Sequence, residues 1–160
     1  MKEHTTREED RAHRFEVQIA VLAEGVDIAP SGNVTIRGVF NAIYATSFPT
    51  QLADLTVLVR VHYRLSAAST SPKPTIFKFA NEDGSLHEFR LDAWFPPPAY
   101  GVWAISDNSI TLKNFPIEAS GEYCFEFWVD GHRLCTLPLM VSHVNPDQQA
   151  NPGTTPAAAQ

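Results

Sequence analysis

Residues 120–141, which read SGEYCFEFWVDGHRLCTLPLMV, carry the strongest indication of the fold. In its first half, apolar side chains occupy every second position, which predicts a strand with one buried face. Asp130-Gly131 then favours a type I′ turn, because both central residues of that turn need a positive φ. The stretch therefore predicts a β-hairpin, whose inward row is Tyr123, Phe125, Phe127 and Val129.

The return strand of this hairpin does not keep the same alternation. A two-residue loop places Val129 opposite His132, and a regular ladder then places Phe127 opposite Leu134 and Phe125 opposite Thr136. Because a shift of one residue moves every side chain to the other face, the later apolar residues would point outward. Those residues are Leu137, Leu139 and Val141.

An extra residue in the return strand would bring that apolar row back to the core. We expect a β-bulge within residues 136–138, since Pro138 lacks an N–H and is tolerated at bulges and edges. A longer hairpin loop across residues 130–132 is the alternative explanation.

The same register bears on the two cysteines of the chain. In a regular ladder Cys124 faces Leu137 and Cys135 faces Glu126, which makes the cysteines diagonal neighbours on one face. Diagonal separations exceed the span of a relaxed disulfide. We therefore expect two free thiols.

The remaining segments also alternate with a period of two, and no helical periodicity persists. In the first strand, the predicted face carries Phe15, Val17, Ile19, Val21 and Ala23. Gly38 lies inside a long extended stretch and indicates a local bend or bulge. With about eight strands separated by turn signals, the sequence predicts an all-β fold, an antiparallel β-sandwich. Besides the hairpin, the predicted strands are residues 15–23, 34–46, 55–65, 75–80, 86–95 and 109–113.

Composition limits the class of protein. The chain has 160 residues, 44% hydrophobic, which suits one sandwich domain over residues 14–143. Residues 1–13 and 144–160 contain few large apolar side chains, so we expect a disordered arm and a disordered tail. A net charge of -6 argues against nucleic acid, and no apolar run is long enough for a membrane helix. Two cysteines fit a reducing compartment, so we expect a cytoplasmic protein.

No motif in the sequence points to catalysis, a metal or a cofactor, and we expect a non-enzymatic protein. The metal-capable residues near the hairpin match no zinc spacing, and neither cysteine has a placed base beside it. Phosphate-loop, dinucleotide and nucleophile-elbow patterns are absent. An unrecognised hydrolase remains an alternative, which would need His62 or His87 beside a Cys, Ser or carboxylate.

The best functional candidates are outward-facing aromatic and basic residues, because Trp and Arg are enriched at interface centres. They predict a protein-binding or assembly module, whose partner is another protein or a second copy of the chain. A sandwich that binds a small ligand or carbohydrate through Tyr100 and Trp103 is the alternative. The partner-binding candidates are Arg60, His62, Arg64, Arg90, Trp94, Trp103, Trp128 and Arg133.

Three segments, residues 19–49, 55–65 and 121–141, together resemble a bacterial family known only as a domain of unknown function. The resemblance implies an immunoglobulin-like β-sandwich and supplies no catalytic residues. Tyr123 also resembles the tyrosine corner of such sandwiches, whose hydroxyl bonds to backbone upstream. The matching motifs are Leu22-Ala23-Glu24, Gly38-Val39-Phe40, Phe48-Pro49, Gly121, Tyr123, Phe125 and Asp130-Gly131.

Overall fold

The computed structural model describes residues 14–146, which form nine strands and a single 3₁₀ turn at Leu65–Ala67. In that range no helix is long and apolar enough to cross a membrane. The strands are β1 Phe15–Ile28, β2 Val34–Phe40, β3 Ala42–Ala45, β4 Thr50–Arg64, β5 Lys73–Asn81, β6 Gly84–Ala93, β7 Trp103–Ile117, β8 Gly121–Val129 and β9 His132–His143.

Two sheets form the sandwich. The four-stranded sheet has the order β2-β1-β4-β7, and the five-stranded sheet has the order β3-β9-β8-β5-β6. Strand pairs are antiparallel except β3 and β9, which run parallel. The all-β, immunoglobulin-like sandwich predicted from the sequence is confirmed, with nine strands in place of about eight and one parallel pair.

Apolar rows of both sheets meet in one core. Tyr63 and Phe95 pack edge to face with ring centroids 5.3 Å apart, and the Tyr63 hydroxyl donates to the Pro96 carbonyl at 2.6 Å. The Tyr123 hydroxyl donates to the Ala119 carbonyl at 2.8 Å, which confirms the predicted tyrosine corner.

The prediction of one continuous strand over residues 34–46 is wrong. The segment breaks at Asn41, so that β2 joins the four-stranded sheet and β3 joins the five-stranded sheet. The Asn41 carbonyl accepts a hydrogen bond from the Met140 amide at 2.8 Å, which attaches the start of β3 to β9. Alternation alone cannot detect this transfer, because both halves keep a period of two.

The predicted core face of the first strand is also wrong after Val17. The ladder between β1 and β4 shifts between Val17 and Ile19, which leaves Gln18 as an extra residue. After this bulge, Ala20 and Leu22 pack toward the core beside Phe15 and Val17. Ile19 and the alternate positions after it consequently lie on the other face.

The central hairpin has the predicted two-residue turn, but its bulge is not where the sequence predicted it. Asp130 and Gly131 have φ values of 50° and 79°, and Val129 pairs with His132, as predicted. The register then shifts between Phe127 and Trp128, so the extra residue is Leu134 and the bulge predicted within residues 136–138 is in the wrong place. The longer-loop alternative is also wrong. The predicted consequence holds, since Leu137, Leu139 and Val141 are buried.

This earlier bulge changes the setting of the cysteines. Cys124 pairs with Pro138 and Cys135 pairs with Phe127, so they are not the predicted diagonal neighbours on one face. Cys124 belongs to the outer row of β8, whereas Cys135 packs against the core. Both are free thiols, because the sheet itself separates them.

The strands occupy Phe15 to His143. The predicted disordered arm, residues 1–13, and most of the predicted tail, residues 147–160, lie outside the described residues.

Candidate functional site

Four of the predicted surface residues meet on the outer face of the four-stranded sheet. The register of β4 with β7 places Arg64 opposite Trp103, His62 opposite Ile105 and Arg60 opposite Asp107. The His62 ring stacks on Trp103 with centroids 4.1 Å apart, and the Arg64 guanidinium carbon lies 4.6 Å from the Trp103 centroid. We call Arg60, His62, Arg64, Trp103 and Ile105 the Trp103 surface.

Arg60 is the anchored end of the Trp103 surface. Its Nε and Nη2 donate to the two carboxylate oxygens of Asp107 at 2.7 and 2.9 Å, and Nη2 also donates to the Gly32 carbonyl at 2.8 Å. The hydrogen bond that Arg60 donates to Asp107 raises the pKa of Arg60; burial lowers this pKa by less than the hydrogen bond raises it, and the Asp107 charge raises it further. The Arg60 and Asp107 side chains are mostly buried, and Arg60 fixes the loop before β2 through its bond to Gly32. Arg60 is therefore not a free basic group.

A second cluster covers the outer face of the five-stranded sheet. The Lys78 ammonium lies 4.4 Å from the Trp128 ring centroid, and the Arg133 guanidinium carbon lies 6.0 Å from it. Arg133 pairs with Trp128 across the hairpin, as predicted. We call this the Trp128 surface, which comprises Lys78, Glu88, Arg90, Glu126, Trp128 and Arg133.

Charges on the Trp128 surface are largely neutralised by one another. Glu126 accepts hydrogen bonds from the Trp128 indole at 2.8 Å and from Arg133 at 2.9 Å. Burial raises the pKa of Glu126, but these two hydrogen bonds and the charges of Arg133 and Lys78 outweigh it and leave the pKa below its ordinary value. Glu88 in turn pairs with Arg90 at 2.8 Å.

The predicted candidates therefore form two separate groups on different sheets. Trp94 belongs to neither, since it follows β6 with its side chain exposed. Sequence reasoning missed Lys78 and Asp107. Lys78 reaches the Trp128 surface through the pairing of β5 with β8, and Asp107 precedes the strand predicted over residues 109–113.

Two concavities are lined mainly by residues outside both surfaces, although Arg133 of the Trp128 surface also lines the second. β1 and β4 stop pairing after Ala23 and Thr56, so the ribbons β1–β2 and β4–β7 separate around a shallow cleft of about 660 Å³. Its charged lining is Glu24, Arg37, Asp54 and Lys113, of which the last two form an ion pair.

The second concavity lies at one end of the sandwich beside the β8–β9 turn, with a volume of about 500 Å³. Tyr100 and Trp103, the residues predicted to bind a carbohydrate, line neither concavity. The end pocket has an apolar wall and a basic rim. The wall is Phe15, Ala67, Ala68, Val129 and Leu134, and the basic residues are Arg14, Lys73, His132 and Arg133. Asp130 also lines this pocket, 4.0 Å from the Lys73 ammonium.

His62, His87 and Cys135, which were considered for hydrolysis, lie in different environments. His62 Nδ1 lies 3.9 Å from a Glu16 carboxylate oxygen on an open sheet face. His87 packs on Phe79 and Phe115 with centroid distances of 6.3 and 5.9 Å. Burial raises the pKa of Cys135 to about 11, the opposite of an activated thiol. Within residues 14–146, no three His, Cys, Asp or Glu side chains converge as metal ligands would.

Comparison with protein families matches residues 18–142 to a family described as a family of unknown function, DUF6941. The chain belongs to this family. The DUF6941 match confirms the resemblance drawn from the sequence motifs. A comparison with curated proteins finds no match.

Two solved structures are similar to this DUF6941 chain at low identity. One is an immunoglobulin-like protein from Pseudomonas aeruginosa, with 13% identity, a TM-score of 0.38, and coverage of 80% of this chain and 96% of that chain. The other is the alkylpurine DNA glycosylase AlkC from Pseudomonas fluorescens, bound to DNA with an abasic site analog, with 8% identity and a TM-score of 0.41. The likeness covers 80% of this chain and 30% of the glycosylase chain.

Proposed function

We propose that the chain is a non-enzymatic protein-binding module that contacts its partner through the Trp103 surface. The observation that carries the proposal is the group of exposed apolar side chains next to Trp103. Tyr100 is 92% exposed, Val102 60% and Ile105 52%. These three exposed apolar side chains lie within three residues of Trp103 in the sequence, and large exposed apolar patches on a protein surface mark interaction sites.

The centre of this surface is already ordered. Trp103 stacks on the His62 ring and lies against the Arg64 guanidinium, so little side-chain entropy remains to be lost on binding. Trp, Tyr and Arg are also the residue types that contribute most at interface centres. On the Trp128 surface, by contrast, Glu126 and Glu88 already neutralise the neighbouring cations, so fewer groups are available to a partner. We further propose a cytoplasmic location, which two free thiols support.

Quantitative affinity capture with identification of the bound proteins tests the proposal. Ile105→Asp replaces one of these exposed apolar side chains with a charge, and we expect at least a tenfold loss of the proteins that wild type retains. Leu91→Asp is the matched control, because Leu91 is 40% exposed on β6 and lies outside the Trp103 surface.

Trp103→Ala is expected to lose the same proteins as Ile105→Asp. If Ile105→Asp retains everything that wild type captures, or if wild type captures nothing above a blank resin, the proposed function is wrong. Circular dichroism on each variant checks that the sandwich is intact.

The end pocket favours a second candidate function, the binding of a small molecule with an apolar body and an anionic group. Its rim contains the basic residues Lys73, Arg14 and His132. Beside them lies the apolar wall, which includes Phe15 and Leu134. Thermal shift with a panel of aromatic carboxylates tests this candidate. Stabilisation by a carboxylate that is lost in Lys73→Ala supports it, and the absence of any stabilisation contradicts it.

A further inference from the structure

Four strands lie at sheet ends, and three of them carry features that discourage pairing with another chain. β3 has only four residues. β2 is interrupted by Gly38 with φ 62°, and β6 carries alternating charges and a register shift opposite Phe79 and Ala80. Short length, irregular backbone and charge are the usual protections of an edge strand.

β7 is the fourth edge and differs from the others. It has 15 residues and pairs only with β4 among the strands of the described structure. Its two charged residues, Asp107 and Lys113, are each neutralised within the chain, by Arg60 and Asp54. Apart from Asn114 and Pro116 near its end, this edge lacks the protections of the others, and such an edge favours pairing with a further strand.

The free and regular part of β7 has clear limits. Before it, the Ser106 hydroxyl donates to the Trp94 carbonyl at 3.3 Å, so the chain leaving β6 lies against β7 there. After it, Asn114 has φ 51°, which interrupts the extended backbone. Residues 107–113 remain, and the central residue of that stretch is Ile110.

A two-fold axis at Ile110 makes this stretch complementary to itself. In an antiparallel ladder about that residue, Asp107 lies opposite Lys113 of the second copy, and Ser109 lies opposite Thr111. This register places no like charges opposite each other, and the hydroxyl side chains at the centre are small enough for close approach. The limits of the free edge thus select this register, and the charge pattern is compatible with it.

We propose that two copies of this chain associate through residues 107–113 of β7, which joins their four-stranded sheets into one continuous sheet. Since β7 residues of one parity stay on one face, both Trp103 surfaces then lie on the same side of the joined sheet. The proposal concerns a backbone edge and is independent of what the Trp103 surface binds.

Light scattering of the full chain over a range of concentrations tests the association. We expect wild type to reach the mass of two 17.7 kDa chains. Ser109→Lys brings two lysines close to the axis and should reduce the mass to that of one chain. Ser85→Lys, the same change on the exposed edge strand β6, should leave the two-chain mass intact.

A cysteine pair tests the register itself. In Ser109→Cys/Thr111→Cys the thiols lie directly opposite across the axis, at a separation a disulfide can span, and oxidation should give a covalent dimer on a denaturing gel. Ser109→Cys alone places the thiols diagonally and should give no more dimer than wild type with its own Cys124 and Cys135.

A wild-type chain that stays at the mass of one copy, or a dimer that survives Ser109→Lys, overturns the proposal. Absence of the cross-link in the double cysteine variant overturns the register. Trp103→Ala should keep the two-chain mass even though it loses captured proteins, so failure of this inference and failure of the proposed function are distinguishable.

Discussion

At the scale of single residues, Glu126 connects three side chains on the outer face of the five-stranded sheet. It accepts from Trp128 and Arg133 and lies near Lys78, and these contacts hold its pKa below the ordinary glutamate value despite burial. A carboxylate whose pKa is depressed on folding stabilises the fold only while it is ionised.

We expect Glu126→Gln to lower the free energy of unfolding by about 1 kcal/mol at pH 7, because two charge-assisted hydrogen bonds weaken. The contribution of Glu126 is complete above its ordinary pKa of 4.5 and is lost as the pH falls through the lower pKa of the folded state. Urea unfolding from pH 7 to pH 3 should therefore show a shallower loss of stability in the variant. Glu118→Gln, on an exposed position, is the control; an equal effect there would contradict the role of Glu126.

Two features favour glycine at position 38: a positive φ of 62° and a Glu24 side chain that leaves no room for a Cβ. A Cβ at this position would lie 2.5 Å from the Glu24 carboxyl carbon, whereas a Cβ at Gly32, with φ 83°, would meet nothing within 4 Å. Substitutions at the two glycines therefore distinguish the cost of backbone strain from the cost of steric contact.

We expect Gly32→Ala to lower the free energy of unfolding by about 1 kcal/mol through backbone strain alone. Gly38→Ala should cost more, and Glu24→Ala in the same chain should remove most of the excess. Denaturant unfolding of the single and double variants measures this coupling. A Gly38→Ala variant no less stable than Gly32→Ala would show that the Glu24 side chain moves aside freely.

At the scale of elements, the bulge at Leu134 determines which face of β9 is buried. It allows Leu137, Leu139 and Val141 to reach the core from a hairpin that begins with a tight two-residue turn. The bulge is thus the element that reconciles the turn with the apolar pattern.

Two deletions test this role. Removing Leu134 leaves Trp128 opposite Arg133 and Phe127 opposite Cys135, so the buried row is retained and we expect a modest loss of stability. Removing Pro138 puts Leu137 and Leu139 on opposite faces, and we expect a loss of roughly 3 kcal/mol or more from the exposed leucine and its cavity. Thermal and urea unfolding compare the two, and equal losses would argue against the bulge.

At the scale of the whole molecule, stability should follow strand position within the sheets. β4 and β8 each have a partner on both sides, and their inward residues are almost entirely buried. The end strands β2, β3 and β6 have one partner each.

We expect amide hydrogen exchange in β4 and β8 to be slower than in the end strands β2, β3 and β6 by two orders of magnitude or more, because exchange there requires global opening. The same measurement on the proposed dimer should show that residues 107–113 of β7 exchange more slowly in wild type than in Ser109→Lys. Equal exchange in both would contradict the edge pairing.

The candidate surfaces could be predicted in part. Periodicity and the hairpin register identified Arg64, Trp128 and Arg133 as outward, because a strand alternates its side chains by geometry alone. Trp103 was predicted on a surface loop, whereas it is the first residue of β7. Their division into two groups required the sheet order, since no local pattern states which strands are neighbours. Asp107 and Lys78, which determine the local charge balance, became visible only through cross-strand register.

The local sequence is sufficient for the strand content, the tight Asp130-Gly131 turn and the core row of β8. These follow from local dihedral preferences and from the side-chain period of a strand. Tertiary structure alone decided the transfer of the chain between sheets at Asn41, the bulges at Gln18 and Leu134, and the free edge of β7. Each depends on pairing between strands far apart in the chain, where packing selects among registers that the local sequence leaves equal.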